Sequence, residues 1–555
     1  MRDAWRQLRS AHSELITDVA DGNRYVWLGS GISRDQVPDL VKLLSKILYF
    51  LRDRAVGVTA DAANHKVALL EIIDEYLPGE RARFDANPAS WIPEDVGTLR
   101  NRYSDVLNVG VEGKPDDYLL IEGGKLPELY GDPALIPGPT HLAIAILIAE
   151  GVVTHLASGN WDGLVEKAVQ DITGNSKLLD AYVSVDDPRQ SNGHAEIAKF
   201  HGCAVLTLKD EAKYRDKVIA SSAQMTQLHG DPAYEHMRQH LLDMSTRMRS
   251  LVIGLSIQDS DLLTVIKGAT VRSPWLWEPS HPSYVFAEPA LLPGQRTVLQ
   301  IAYGSDYAQH RAEINRTSTL GHYHGPITSA LVIEVLVAKL TAALMRHTHL
   351  NSSTLDNLSE GLRRLTLRTV AAFGRNEHEV VSFVLKDYAD IVRTYYGIPD
   401  ATPAPYISFA AGTAKELRIN HSVVTLAADH LAVALGAIGL GDATHRWRAT
   451  LKTNASGATL VLARTKITQE KHILIARGVS EAIVAMGRDD WTSGPEDMVL
   501  LQMGKGAISL PRSPRGKLGR GRGATARKHI NWSAVTDSVL DHDELLTRFE
   551  TGVAL

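Results

Sequence analysis

Short apolar runs alternate with longer helical segments through the first half of the chain. Between these runs, apolar side chains recur at helical spacing, as they do from about residue 38 to 51. Parallel strands need crossover connections of this length, which are usually helices. The pattern therefore predicts an α/β fold built on a parallel sheet, with ligand contacts at the carboxyl ends of its strands. The strand-like runs are residues 25–28, 152–157, 204–208 and 251–255.

The first of these runs ends in a glycine-containing loop. Its residues are Gly29, Ser30, Gly31, Ile32 and Ser33, and the helical segment follows. Strand, glycine loop and helix open the nucleotide-binding units of Rossmann-like sheets, where backbone N–H groups at a helix start bind phosphate. The loop lacks the full GxGxxG spacing, so a simple tight turn explains it equally well when it is taken alone.

Composition and the positions of Pro and Gly suggest how the chain is divided into domains. Its 555 residues, 44% of them hydrophobic, are enough for about three domains. Residues 52–135 are more charged and become rich in Pro and Gly, so we interpret them as a largely helical insertion. We place an α/β catalytic domain at 1–285, a helical extension at 286–400 and a mixed α+β accessory domain at 401–555.

Two polar residues follow the strand-like run at 152–157. Asn160 and Asp162 can present an amide and a carboxylate to one sugar, because the amide both donates and accepts while the carboxylate accepts from hydroxyl groups. The structural alternative is an Asx turn that caps the following helix. Both interpretations remain open from the residues alone.

A histidine lies close to the run at 204–208. His201, followed by Gly202, has the chemistry of a general base near neutral pH, although a structural histidine is common at such an edge. His229 and Gly230 repeat the dipeptide, but they follow a helical-looking run. We therefore prefer His201 as the base.

The run at 251–255 ends in a third polar segment. Gly254 and Ser256 suit close approach to a ligand. Asp259 and Asp261 follow, and the structural interpretation of these carboxylates is that they cap the next helix.

Taken in order, these four segments resemble the motif set of the sirtuins, and the two aspartates are similar to those of the bacterial sirtuin-like branch. The resemblance covers roughly residues 1–345 and implies binding of NAD as a substrate, with cleavage of the bond between nicotinamide and ribose. It implies that Asn160 positions the ribose or a water, that Asp162 supports this geometry, and that His201 is the general base. The implied NAD-binding residues are Gly29, Ser30, Gly31, Ile32, Ser33, Asn160, Gly254, Ser256 and Asp261.

One departure from that family concerns cysteine. Deacylating sirtuins carry a zinc ribbon with four cysteines after the His-Gly motif, whereas Cys203 is the single cysteine here. No zinc ribbon is therefore expected, and the resemblance favours a NAD glycohydrolase that releases nicotinamide and ADP-ribose, as in bacterial anti-phage defence. The alternatives are a NAD-dependent deacylase or ADP-ribosyltransferase, and a non-catalytic NAD or ADP-ribose sensor.

The charge distribution bears on partners. A net charge of −5 argues against nucleic-acid binding through the whole surface, but residues 504–528 gather Lys and Arg among glycines. This basic segment is either a solvated, mobile loop or a contact for nucleic acid or for an acidic partner surface. The family resemblance further implies regulation by a homo-oligomer or by a partner such as a HerA-type ATPase or another phage sensor.

Two further expectations concern metal and membrane. Three histidine pairs have spacings found in metal sites, yet none has an obvious third ligand, so no metal site is expected. Uncharged apolar stretches fall short of the ~20 residues that span a bilayer, and a single cysteine suits a reducing compartment. We therefore expect a cytoplasmic protein without membrane contact. The pairs are His236/His240, His322/His324 and His347/His349.

Overall fold

A computed structural model describes most of the chain. The predicted basic segment falls almost entirely outside the described residues, as do Asp259, His347 and His349. The described residues are 1–184, 186–187, 194–258, 260–346, 350–398, 406–419, 426–454, 457–464, 470–488, 491, 497–504, 528–539 and 541–555.

A parallel sheet forms the centre of the first half of the chain, which confirms the predicted Rossmann-like α/β fold. Within the described residues it has six strands in the order β3-β4-β2-β1-β5-β6. The chain crosses from one side of β1 to the other, so β1 and β5 flank a switch point of the kind where such sheets bind ligands. The strands are β1 Arg24–Leu28, β2 His155–Ser158, β3 Leu179–Tyr182, β4 Ala195–Lys199, β5 Arg249–Ile253 and β6 Tyr284–Phe286.

Strand register brings the predicted motifs to one edge. Leu28, the last residue of β1, pairs with Ser158 of β2 and Ile253 of β5, and Ser158 pairs with Lys199 of β4. The loops after these four strands therefore leave the sheet at the same level. The Gly29 loop, Asn160, His201 and Gly254 each come just after one of these strand ends, so they lie along the same edge of the sheet.

Alternation along β1 explains how the sheet is covered. Tyr25 and Trp27 face one apolar cluster, and Val26 and Leu28 face another, because successive strand side chains point to opposite faces. Helices therefore pack on both faces of the sheet. The helices of this region are Arg2–Ala11, Ser13–Ala20, Leu40–Arg54, Pro139–Ala149, Leu164–Thr173, Ser222–Gly230, Glu235–Arg247, Ser260–Arg272 and Pro293–Thr317.

The predicted strand at 204–208 is wrong, because these residues form the helix Ala204–Lys209. Strand β4 precedes His201 and ends at Lys199, and the chain then turns at Gly202, whose φ is +85°. The Thr207 hydroxyl donates to the Cys203 carbonyl at 2.9 Å, as a helical residue does. Tertiary position thus overrides the β propensity of Val and Thr.

The predicted insertion at 52–135 is largely helical. It packs with helix Leu40–Arg54 around its own apolar cluster, which also contains Trp161 and Ala204 from the sheet's loops. The insertion is therefore anchored beside the edge that carries the motifs. Its helices are Ala60–Tyr76, Glu80–Ala86, Tyr103–Val106 and Leu126–Tyr130, with short 3-10 and π turns between them.

A helical region follows the first sheet. By length and composition, one helix of the described chain, His324–Leu344, would suffice to cross a membrane, but 89% of its apolar window is buried within the protein. A core helix of a folded protein has the same properties. The other helices here are Ser352–Phe373, Glu377–Phe383, Ala389–Tyr396, Ala414–Ile419 and Leu426–Ala443.

The C-terminal region contains a second sheet, which confirms the predicted mixed α+β architecture. Its described strands run in the order β11-β10-β9-β8-β7, antiparallel from β7 to β9 and parallel from β9 to β11. One apolar cluster contains side chains from the first sheet and from the second, and the predicted domain boundaries at 285 and 400 stay a prediction. The elements are β7 Arg448–Asn454, β8 Gly457–Ala463, β9 Glu470–Ala476, Val479–Met486, β10 Met498–Gln502, β11 Lys528–Asn531, Trp532–Thr536 and His542–Val553.

Candidate active site

The glycine loop after β1 packs directly on the loop after β5. The Gly29 N–H donates to the Ile253 carbonyl at 3.1 Å, and the Gly31 N–H donates to the Gly254 carbonyl at 2.9 Å. A Cβ on Gly29 would lie 2.4 Å from the Leu255 Cα, closer than any side chain tolerates. Both glycines therefore allow two backbones to meet at the switch point, where their N–H groups donate to protein carbonyls.

The loop also differs from the expected helix start. Ser30 is exposed, and Ser30–Ser33 form a 3-10 turn. Helix Leu40–Arg54 begins later, where the Asp39 carboxylate accepts from the Lys42 N–H at 2.9 Å. The loop is thus a 3-10 turn that precedes the helix, and its predicted contact with the phosphates of NAD stays a prediction.

Ser33 joins the loop to the Asn160 segment. The Asn160 Nδ2 donates to the Ser33 Oγ at 3.3 Å, and His141 Nε2 lies 3.1 Å from the same oxygen. His141 lies in the first turn of helix Pro139–Ala149, and the Gly138 N–H donates to its Nδ1 at 3.1 Å. Burial lowers the pKa of His141 to about 4, so its ring is neutral at pH 7.

Asn160 carries an unsatisfied acceptor. Its backbone N–H donates to the Ser158 Oγ at 3.1 Å, but its buried Oδ1 has no hydrogen-bond partner among the residues that the structure describes. A buried amide oxygen without a partner costs about 1–3 kcal/mol, and functional sites are where such costs are retained. Asn160 Oδ1 is therefore suited to accept a hydrogen bond from a ligand.

Asp162 makes the contact that the structural alternative, an Asx turn, predicts. Its Oδ1 accepts from the Leu164 N–H at 3.1 Å, which caps helix Leu164–Thr173. Lys199 of β4 donates to the Asp162 backbone carbonyl and lies 3.3 Å from Glu166 Oε1. Burial acts to lower the pKa of Lys199, but the neighbouring carboxylates outweigh it and hold that pKa above its usual value. This buried cation fastens the Asn160 segment to the next helix.

His201 is paired with Asp261. The His201 Nε2 lies 3.0 Å from Asp261 Oδ2, and both side chains are buried. The second oxygen, Oδ1, accepts from the Leu262 N–H at 2.8 Å. These contacts suit a residue that orients the imidazole, and the predicted part of Asp261 in NAD binding stays a prediction.

Asn160 and His201 lie at neighbouring strand ends. A Cβ on Gly159 would stand 3.4 Å from His201 Nδ1 and 3.1 Å from a Phe200 ring carbon. The Gly159 backbone therefore packs closely against the Phe200 ring and lies within contact distance of the His201 ring. The structure therefore brings the amide and the imidazole to one side of the sheet.

Gly254 and Ser256 lie on the other side of the switch point. Gly254 has φ +66°, and a Cβ there would lie 2.8 Å from the Ile32 backbone nitrogen, so the backbone requires glycine. Gln295 Nε2 donates to the Leu255 carbonyl at 2.9 Å and holds this loop in place. Ser256 is half-buried.

The site is closed to solvent. The exposed fractions are 6% for Asn160, 4% for His201 and 0% for Ser33. Residues 217–220 contribute to the closure, because the Ile219 N–H donates to the His201 carbonyl at 3.1 Å and the Trp161 Nε1 donates to the Ile219 carbonyl at 3.2 Å. The Asn160, His201 and Ser33 side chains are therefore largely buried, with residues 217–220 packed beside them.

Three residues of this region were not singled out from the sequence as site residues: His141, Lys199 and His324. His324 begins the helix His324–Leu344 and is hydrogen-bonded to Thr140 Oγ1 at 3.2 Å. Burial, with a contribution from Arg34, lowers its pKa. The local signal for His141 was its place after Pro139 in a helix's first turn, but no local signal marks its contact with Ser33.

The described part of the chain contains no candidate metal site. Among those residues, no group of three or more His, Cys, Asp or Glu side chains could hold a metal ion. The Asn160 amide oxygen, in contrast, suits a ribose hydroxyl, since such a hydroxyl donates to an acceptor.

Comparison with known families identifies part of this region. Residues 154–314 match a family model described as the SIR2-like domain. The SIR2-like segment contains Asn160, His201 and Gly254 and begins after the Gly29 loop. The match supports a sirtuin-like family, whose members are NAD-dependent enzymes. No curated protein matches the chain.

Proposed function

We propose that this protein is a NAD glycohydrolase that cleaves the nicotinamide–ribose bond and releases nicotinamide and ADP-ribose. The observation that best supports it is the buried, unpaired Oδ1 of Asn160 beside the His201–Asp261 pair. An acceptor for a sugar hydroxyl or water then lies next to a base held by a carboxylate. The SIR2-like segment that carries these residues supports the choice of NAD.

The reaction needs orientation more than a strong acid. Nicotinamide is a cationic leaving group, so the C–N bond breaks as its electron pair moves to the ring nitrogen and an oxocarbenium-like sugar forms. Water then attacks the anomeric carbon, and its proton passes to His201. The Asp261 carboxylate, 3.0 Å from His201 Nε2, orients the imidazole that takes this proton.

Two features favour water over an acylated peptide as the acceptor. Cys203 is the single cysteine, so the four-cysteine zinc ribbon of deacylating sirtuins is not encoded in this sequence. The closed site around Asn160 and His201 leaves those residues almost without exposure, which suits a small acceptor better than a peptide.

Burial also supports regulation. Constitutive NAD hydrolysis would harm the cell that makes the enzyme, and a site with His201 only 4% exposed must open before it can act. We propose that assembly into a homo-oligomer, or a partner such as a HerA-type ATPase or another phage sensor, opens it during bacterial anti-phage defence. Contact with nucleic acid through residues 504–528 belongs to the same proposal.

The test is to incubate the purified full chain with NAD, with and without an acylated peptide, and to quantify nicotinamide, ADP-ribose and acylated ADP-ribose. Free ADP-ribose without peptide supports the hydrolase. Acylated product that appears only with peptide would identify a deacylase instead. NAD binding without turnover, alone or with candidate partners, would favour a sensor.

Two variants test the assigned residues. Asn160→Ala and His201→Ala should each lower turnover by about 100-fold or more, since a positioned general base contributes about 10²–10⁴-fold. The matched controls are Asn64→Ala and His445→Asn, at sites on the insertion surface and after helix Leu426–Ala443. Near-wild-type activity in either site variant, with the fold intact by circular dichroism, would disprove the role of that residue.

A further inference from the structure

We propose that His141 is a positioning residue that makes Ser33 a hydrogen-bond donor and Asn160 a hydrogen-bond acceptor toward the ribose of the substrate. This inference rests on the proposed NAD hydrolysis and extends it to a residue outside the strand-end motifs. The pair Ser33 Oγ and Asn160 Oδ1 would then recognise a sugar diol, in which one hydroxyl accepts and its neighbour donates.

The first step concerns the tautomer of His141. The Gly138 N–H donates to His141 Nδ1 at 3.1 Å, so Nδ1 must carry a lone pair. The ring is fully buried and neutral at pH 7. Its single N–H proton therefore resides on Nε2.

The second step concerns the Ser33 hydroxyl. His141 Nε2 donates to Ser33 Oγ at 3.1 Å, and Asn160 Nδ2 donates to the same oxygen at 3.3 Å. These two bonds use the two lone pairs of the hydroxyl oxygen. The Ser33 proton is then left for a group outside this network.

The third step concerns the Asn160 amide. With Nδ2 directed at Ser33, Oδ1 points away from it and is buried without a partner. Without the His141 donor, Ser33 could turn its own proton toward Asn160 and bind Oδ1 instead. His141 thus opposes the arrangement in which the two site groups satisfy each other and offer nothing to a ligand.

The experiment compares His141→Phe, which keeps the ring volume and removes both nitrogens, with His141→Gln, which retains an N–H donor. We expect His141→Phe to lower kcat for NAD by about 100-fold, the loss that misplaced reacting groups cause, with a smaller change in KM. His141→Gln should restore a large part of kcat. A merely structural role predicts that both variants lose stability and that neither changes the balance between kcat and KM.

A double-mutant cycle with Ser33→Ala tests whether the two residues act through one bond. We expect His141→Phe/Ser33→Ala to be no slower than the worse single variant, because the second change removes an interaction already lost. Thr140→Val serves as the control, since it alters the neighbouring contact with His324 but not the contact with Ser33. Additive losses, or wild-type kcat in His141→Phe, would overturn the inference.

The outcome is separable from that of the proposed function. If the wild-type chain binds NAD but does not hydrolyse it, the hydrolase proposal fails, and the cycle is repeated on NAD affinity by calorimetry. Coupled losses of affinity would then still support the His141 network, and uncoupled losses would refute it. A wild-type chain that binds no NAD would overturn both.

Discussion

The imidazole of His201 and the carboxylate of Asp261 meet in a buried contact, with 3.0 Å between Nε2 and Oδ2. They are 60 positions apart: His201 follows β4, whereas Asp261 lies in the first turn of helix Ser260–Arg272 after β5, on the opposite side of β1. The pair therefore spans the switch point of the sheet and links the two halves of the candidate site.

Replacement of this carboxylate should impair catalysis without unfolding the helix it caps. Asp261→Asn keeps an oxygen for the Leu262 N–H and loses the charge that orients His201. We expect nicotinamide release to fall by about 10²–10⁴-fold, the range of a misoriented general base. The measurement is kcat across pH, beside His201→Ala. Equal activity of Asp261→Asn and wild type would mean that the pair has no catalytic role.

Replacement of a glycine in the loop after β1 should lower the stability of the fold, whatever its effect on NAD binding. In Gly29→Ala, the new Cβ would lie 2.4 Å from the Leu255 Cα, so we expect the free energy of unfolding to fall by about 1–3 kcal/mol. Gly110→Ala is the control, because a Cβ there meets nothing within 4 Å. Denaturant titration checks both, and a Gly29→Ala variant as stable as wild type would contradict the packing role.

Replacement of Lys199, the buried cation beneath the Asn160 segment, should lower the free energy of unfolding strongly. Lys199→Met leaves Glu166 without its partner and frees the Asp162 carbonyl, so we expect a loss of about 3–5 kcal/mol in unfolding free energy. Adding Glu166→Gln should recover part of it. Lys452→Met, in the exposed pair with Glu470, should cost less than about 1 kcal/mol. Equal effects at the two sites would refute this difference.

Acid should weaken the fold through buried neutral histidines. Burial lowers the pKa of His12 to about 4, below its ordinary 6.5. Between these values the unfolded chain binds a proton that the folded chain does not, so stability is present above pH 6.5 and is lost as pH falls toward 4. One such histidine contributes a slope of up to about 1.4 kcal/mol per pH unit.

His12→Gln tests this assignment by chemical denaturation at pH 7 and at pH 5. The variant should show a shallower loss of stability on acidification than wild type, because it has no proton to bind in that range. An unchanged slope would show that His12 does not titrate as described.

The local sequence pattern predicted secondary structure correctly at some apolar runs and wrongly at others. The apolar run at residues 25–28 predicted a strand, and the structure has β1 Arg24–Leu28 there, buried throughout and followed by the glycine loop. Residues 204–208 misled the same reasoning, since their β-prone side chains sit in a helix two of whose members, Val205 and Leu208, face solvent. Propensity is weak beside the geometry of the preceding turn.

The candidate site likewise contains residues that the sequence located and residues that only the structure revealed. The sequence located Asn160 and His201 through their places near strands, and the family match to residues 154–314 covers both. It did not locate His141 as a partner of Ser33, which lies 108 positions away, or Lys199 as the cation beneath Asp162.

The sequence alone therefore determined the α/β class, the order of the motifs and the lone cysteine, because periodicity, spacing and composition are local properties. Only the tertiary structure decided that Gly29 and Gly31 serve loop packing, that Asp261 faces His201, and that the site is closed. Those outcomes depend on strand order and on which distant groups meet in a buried, low-dielectric interior, where each polar atom needs a partner.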